Sequence, residues 1–193
     1  MCIRRLDKYL HNMPFSIIVG AHSTNKAIGS AGKIPWKCRA DMKFFKEMTT
    51  QVSDPTKMNA VIMGRKTFES LPAPLPNRVN VVLSNKIGKG LFFNDFDTAI
   101  ETLEQDSNIE TIFVIGGEMV YKIALDHPKC EKIYLNEVHV VCDLSGADAF
   151  FPEIDKTKYE LTKTTILDPT VTSFVLKKNL RFLFDSSLIK NVI

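Results

Sequence analysis

The chain is poor in residues that staple or ligate: its 193 positions hold four cysteines, four histidines and one tryptophan. Cys2, Cys38, Cys130 and Cys142 lie far apart, with no CxxC pair and no histidine at zinc-ligand spacing. That pattern argues against a metal site or a disulfide framework and for a reducing compartment. No stretch approaches the roughly 18 apolar residues that a membrane-spanning helix needs. The opening segment MCIRRLDKYLHN lacks the apolar run of a secretory signal. It is basic and somewhat amphipathic, as organellar presequences are, but Asp7 and the lack of serine count against one. A cytoplasmic protein is expected, with no membrane partner. Charge of one sign is also scarce, since 25 Lys and Arg against 22 Asp and Glu leave +3. That is too little for a nucleic-acid surface, yet it suits a pocket for phosphates and carboxylates.

Repeats, low-complexity tracts and Ser/Gly linkers are missing too, and the breaker cluster Pro72 to Pro76 is too short to separate domains. At 45% hydrophobic and 24% charged, the composition is that of an ordinary globular chain. One domain is expected over residues 13–180, with an N-terminal extension at 1–12 and a C-terminal tail at 181–193. Strand-like runs fall at 15–21, 60–63, 79–83, 111–115, 132–140, 158–166 and 172–178, with a weaker one at 91–93. Helical spacing of apolar residues marks 40–49, 65–71, 96–105 and 117–125. Strands and helices alternate through residue 125, and only strands follow. This order predicts an α/β fold, a mainly parallel eight-stranded sheet with helices on both faces and a C-terminal antiparallel hairpin. The runs VIM, VVL and FVI are continuously apolar, as strands buried on both faces should be. Ligands of such sheets bind beyond the carboxyl ends of the strands. Those ends lead into Gly64-Arg65-Lys66-Thr67, Ser84-Asn85-Lys86 and Gly116-Gly117.

In AIGSAGKIPWKCRADMKFF, residues 27–45, a Gly-rich loop leads into a helix that opens near Asp41. A first-turn aspartate is often no more than a group that favours the helix dipole. Met42, Phe45 and Met48 follow Asp41 along the helix, and a carboxylate beside such an apolar wall should titrate above about 3.9. It could bind an amidine-like edge through two parallel hydrogen bonds. Arg78 precedes a buried strand, where an arginine is either a solvated cap or a fork for a carboxylate. Gly64-Arg65-Lys66-Thr67 places cations at a helix start, a position that favours them only if an anion binds there.

The order IGxxGxIPW, an acid five residues after the tryptophan, and FF after the acid resembles dihydrofolate reductase. The resemblance continues through NAVIMGRKTFESLPAPLPNRVNVVLS at 59–84, IFVIGGEMVYKIAL at 112–125 and DAFFPEID at 148–155, and covers about 14–178. It implies an NADPH-dependent reductase of dihydrofolate that also takes antifolate inhibitors and is monomeric unless fused to thymidylate synthase. Asp41 would then be the acid beside the pterin, with Trp36 and Asn136 in its network. Met42, Phe45 and Leu71 would sandwich the pterin and benzoyl rings. Val19 and Ile115 would offer backbone carbonyls, with Ala21 and Tyr121 close by, and Arg78 would hold the glutamate tail. Cofactor contacts would come from Ala21, Ile28 and Gly29, from Gly64, Arg65, Lys66 and Thr67, and from Leu83, Ser84 and Asn85. The turn Gly116, Gly117, Glu118, Met119, Val120 and Tyr121 would add the rest, its glycine pair joined by a cis peptide. The chain departs from the family pattern at Asn136, commonly threonine, at Ala149, usually threonine, at Phe68, often tryptophan, and at Asn85, in some members arginine. A related reductase of a flavin precursor and a non-catalytic nucleotide-binding relic are the alternatives. The first has no reason to keep Asp41, Phe45 and Arg78 together.

Overall fold

The computed structural model describes residues 13–86, 88 and 90–179; the extension at 1–12 and the tail at 181–193 lie outside them. Its strands are β1 (Phe15–His22), β2 (Ala27–Ser30), β3 (Met58–Gly64), β4 (Arg78–Leu83), β5 (Leu91–Phe93), β6 (Ile109–Gly116), β7 (Cys130–Val138), β8 (Ala147–Phe150), β9 (Tyr159–Asp168) and β10 (Val171–Lys178). Its helices are α1 (Arg39–Thr50), α2 (Arg65–Ser70), α3 (Phe96–Glu104) and α4 (Glu118–Asp126). The main sheet runs β5-β4-β3-β6-β1-β7-β10-β9. Every neighbouring pair from β5 to β7 is parallel, and β10 runs antiparallel to both β7 and β9.

Alternation along each central strand sends one side chain to each face, and both faces are apolar. Ile17, Val19, Ile62, Val81, Ile112, Val114, Ile133 and Leu135 meet the buried residues of α3 and α4, among them Ile100, Leu103, Val120 and Ala124. Ile18, Val61, Met63 and Phe113 face the other way and pack on Phe44, Phe45 and Met48 of α1 and Phe68 of α2. The expected fold class is therefore the observed one. The helices on both faces explain why VIM, VVL and FVI show no polar alternation.

One element was not expected. The Gly-rich loop and the DAF segment, neither among the expected strands, pair as a second, antiparallel sheet of β2 with β8. Its pairing is too short and too irregular to leave a periodic signal. The ladder shifts register twice, and side chains fasten its ends: Ser30 Oγ donates to the Gly146 carbonyl at 2.7 Å, and Asp148 accepts from the Ala31 N–H at 3.1 Å. The strand expected at 132–140 begins and ends two residues earlier. The helix expected to reach Leu71 stops at Ser70.

Ile62 is fully buried on the central strand β3. Ile62→Ala should lower the stability to urea unfolding by roughly 2–5 kcal/mol, since the surrounding strands cannot collapse into the gap. A loss below about 1 kcal/mol would show that the face is not packed as described.

Candidate active site

Asp41 stands in the first turn of α1, behind an N-cap, Cys38, that makes no side-chain cap bond. The helix dipole favours a carboxylate there. Position on the sheet decides its surroundings. On β1 and β7, Gly20 and Asn136 are register partners near the carboxyl ends of the strands, on the face that α1 covers. The Asn136 Nδ2 donates to Asp41 Oδ1 at 2.9 Å. A Cβ on Gly20 would lie 2.6 Å from Asp41 Oδ2. Asp41 is only 6% exposed. Burial raises its pKa above the ordinary carboxylate value, while the Asn136 amide and the nearby Trp36 indole favour the charged form and pull it back. Trp36 Nε1 is close enough for that influence but meets no partner with normal hydrogen-bond geometry. Asn136 Oδ1 is likewise buried and unpartnered. A buried donor and a buried acceptor, both next to a carboxylate, are what a site leaves for a ligand's polar edge or for ordered water. The burial of Asp41 thus rests on two strands as well as its own helix. Met42, expected in the apolar wall, is half exposed.

The same helix face continues through Phe45 to Thr49, one turn at a time. At its far end Arg78 opens β4, and it is buried rather than the solvated cap that its neighbours suggested. Its Nη1 donates to Thr49 Oγ1 at 2.8 Å and its Nε to the Pro76 carbonyl at 3.0 Å. Its guanidinium carbon lies 5.9 Å from the Phe45 ring centroid. The Thr49 hydroxyl donates in turn to the Phe45 carbonyl, and the Asn59 amide fastens the end of the helix by donating to the Thr49 and Gln51 carbonyls. Eight residues of helix separate Asp41 from Thr49, about 12 Å along the axis. Leu71 and Ile115 are half-buried beside this face, in the cluster that holds Phe45. Thr49 and Asn59 carried no sequence signal, because a helical threonine and a strand asparagine are ordinary.

Val19 and Ala21 point to the opposite face, into the core with Tyr121. The Tyr121 hydroxyl donates to the Ile18 carbonyl at 3.1 Å. Burial and the nearby Asp41 push that phenol well above its ordinary pKa, so it remains a donor. Gly116 has φ +112 and is joined to Gly117 by a cis peptide. A Cβ on Gly116 would lie 2.9 Å from the Tyr121 ring, so position 116 needs glycine for both conformation and space. Gly64 and Gly117 are the N-caps of α2 and α4, and neither helix has a side-chain cap bond. The two turns touch, because a Cβ on Gly117 would be 3.2 Å from Thr67 Oγ1 and one on Gly64 3.3 Å from Val120 Cγ2. Backbone N–H groups at the α4 start are thus left for an anion, and Arg65 and Lys66 flank the same junction. Arg65 also pairs with Glu69 at 2.6 Å. Glu118 is turned to Lys122 at 2.7 Å and to the Phe150 N–H at 2.9 Å, which holds its pKa low. Met119 is exposed. Ile28 and Gly29 lie in β2; Leu83 ends β4, and Ser84 and Asn85 follow it, where Ser84 Oγ accepts from the Lys86 N–H at 2.9 Å. These residues fit a diphosphate-bearing cofactor. Among the described residues, no three His, Cys, Asp or Glu side chains gather as a metal site, and no helix is long and apolar enough to cross a membrane.

A mainly parallel α/β sheet whose carboxyl edge carries a buried carboxylate and two glycine-opened helix starts has the arrangement of a ligand-binding α/β enzyme. Comparison with known proteins narrows it. The dihydrofolate reductase family model matches residues 15–173. Dihydrofolate reductase of Heliothis virescens is 40% identical over 155 residues, covering 75% of this chain and 82% of its own length. The Drosophila melanogaster enzyme is 39% identical over 149 residues, 72% and 80% of the two chains. The bifunctional dihydrofolate reductase-thymidylate synthase of Daucus carota is 37% identical over 183 residues, which is 86% of this chain and 32% of that protein. The chain belongs to the dihydrofolate reductase family, whose members are NADPH-dependent oxidoreductases that reduce dihydrofolate to tetrahydrofolate.

Because the Asp41 pKa is raised on folding, the native state holds its proton more tightly than the unfolded chain, and this group's contribution to stability falls as pH rises from 3.8 through the native pKa. Asp41→Asn should therefore melt above the parent at neutral pH, with the gap narrowing as pH falls through that window. A gap that does not change with pH would contradict the raised pKa.

Proposed function

We propose that the protein reduces 7,8-dihydrofolate to tetrahydrofolate with addition at pterin C6 and N5, serving thymidylate and purine synthesis in the cytoplasm. Residues 13–180 would be the catalytic unit, acting as a monomer unless joined to thymidylate synthase. NADPH, when bound, supplies the hydride. The single observation that carries this reading is the α1 face with a buried carboxylate at one end and, at the other, Thr49, about 12 Å along the axis, which accepts from the buried Arg78. A molecule with a donor-rich heterocycle, an aromatic spacer and a carboxylate matches that face in chemistry and in order.

Asp41 accepts two hydrogen bonds from the pterin 2-amino and N3 groups and favours a proton at N5, relayed by water. Trp36 and Asn136 hold that network. Met42, Phe45 and Leu71 flank the rings, and the Val19 and Ile115 carbonyls accept from the 4-amino group that a diamino antifolate carries. Tyr121 and Ala21 shape the floor, where reacting rings meet. Arg78 grips the tail α-carboxylate as a planar fork, already aligned by Thr49 and Pro76. At the other edge Gly116, Gly117, Glu118, Met119 and Val120 let the α4 start approach the diphosphate. Gly64, Arg65, Lys66 and Thr67 receive phosphate, with Leu83, Ser84 and Asn85 beside the adenosine end and Ile28 and Gly29 over the nicotinamide side. Antifolate inhibitors with a donor-rich ring should compete on the same Asp41 face.

Asp41→Asn should fold, bind NADPH and lose about 100-fold or more in dihydrofolate reduction at neutral pH, with partial recovery as pH falls and solvent protonates N5 directly. Unchanged activity at neutral pH would reject the role. Arg78→Leu should raise KM for dihydrofolate by about tenfold or more while kcat changes little, the mark of a lost charge-assisted contact remote from the chemistry. An unaltered KM would reject the tail contact.

A further inference from the structure

The glycine at position 20 lies inside β1, where glycine costs roughly 0.5–1 kcal/mol relative to alanine because it gives up chain freedom and packs nothing. Its backbone does not need glycine, since its φ is outside the left-handed region. Space does. A Cβ there would sit 2.6 Å from Asp41 Oδ2, 2.8 Å from Oδ1 and 2.9 Å from Cγ. These atoms cannot easily swing aside: Asp41 is 6% exposed, and its Oδ1 takes a 2.9 Å hydrogen bond from Asn136, itself 1% exposed. Asn136 is the register partner of Gly20 on β7, and Ser173, also buried, continues that row on β10.

We propose that Gly20 is a positioning residue for Asp41: the glycine leaves the slot in which the carboxylate sits, paired across the strands with the Asn136 amide already assigned to hold it there. The inference rests on the reading of Asp41 as the pterin-binding acid and goes beyond it in naming what sets the acid's place. The amide end of asparagine that faces Asp41 is donor-only, so it holds the ionised carboxylate without competing for the same proton. Its Oδ1, buried and without a protein partner, adds an acceptor next to the carboxylate oxygens. The groups facing Asp41 from other elements are the Trp36 N–H from the loop before α1, the Asn136 amide from β7 and the Tyr121 phenol from α4. No lysine, arginine or histidine is among the groups that set its protonation. Loss of the amide or displacement of the carboxylate is therefore not masked by a neighbouring cation.

Two measurements test the pair, and neither requires turnover. The first is a double-mutant cycle in thermal stability. Gly20→Ala should lower Tm by roughly 3–10 °C in the parent, as expected for an overpacked site, and by much less in an Asp41→Ala background where the colliding carboxylate is gone. An equal loss in both backgrounds would overturn the slot. The second is a 13C titration of the Asp41 carboxyl, assigned by its disappearance in Asp41→Asn. Gly20→Ala and Asn136→Val should both raise its midpoint by about one pH unit, and Asn136→Thr, which keeps a donor, should stay nearer the parent. Midpoints equal to the parent's in Gly20→Ala and Asn136→Val would overturn the positioning role. In steady state, kcat/KM for dihydrofolate should fall about tenfold in Gly20→Ala while the Kd for NADPH holds, and a matching loss of NADPH affinity would also count against the pair. If the parent showed no dihydrofolate reduction, the proposed function would fail, while the cycle and the titration would still decide the placement of Asp41.

Discussion

A carboxylate kept out of water is the constraint around which the candidate site is arranged. Burying a charge is costly unless hydrogen bonds or an opposite charge compensate. Asp41 has one hydrogen bond from Asn136, the proximity of the Trp36 indole and a place at a helix start, but no cationic partner among the groups that influence it. What results is a carboxylate whose proton affinity is raised and whose hydrogen-bonding capacity is not used up by the protein. A salt bridge would have made Asp41 a plain structural anion. The stability forgone at this position is the usual consequence of keeping a group reactive.

The rest of the fold supplies rigidity for that carboxylate. Strands buried on both faces fix β1 and β7 next to each other, so Gly20 and Asn136 meet α1 from a surface that cannot shift. The far end of α1 is fixed just as firmly by Asn59 and Arg78, register partners on β3 and β4. One helix thus links the buried carboxylate to the buried arginine, and its two anchors come from opposite halves of the sheet. The starts of α2 and α4 are opened by Gly64 and Gly117 at the same carboxyl edge.

Much of this was legible in the sequence for physical reasons. Continuous apolar runs revealed the buried parallel strands, helical spacing revealed the covering helices, and the motifs around Trp36, Arg78 and Gly116 identified the family. The β2–β8 sheet was not legible, because four-residue strands with broken register leave no period. Position alone left Arg78 as a surface cap or a carboxylate fork, since burial of an arginine depends on contacts such as that with Thr49, which only the tertiary structure brings to it. Asp41 was found through its motif; of the wall expected from Met42, Phe45 and Met48, the last two pack on the sheet while Met42 is half exposed, and β1 and β7 add Gly20 and Asn136. A glycine inside FSIIVGA is the kind of local inconsistency that marks a close approach, though the chain alone does not say what approaches.

The most direct test of the account follows label, not rate. Purified protein would be mixed with dihydrofolate and NADPH deuterated at C4 of the nicotinamide, and the product read by mass spectrometry and NMR. The account predicts tetrahydrofolate carrying one deuterium at C6. NADPH that binds without being oxidised, or a product without label at C6, would contradict it.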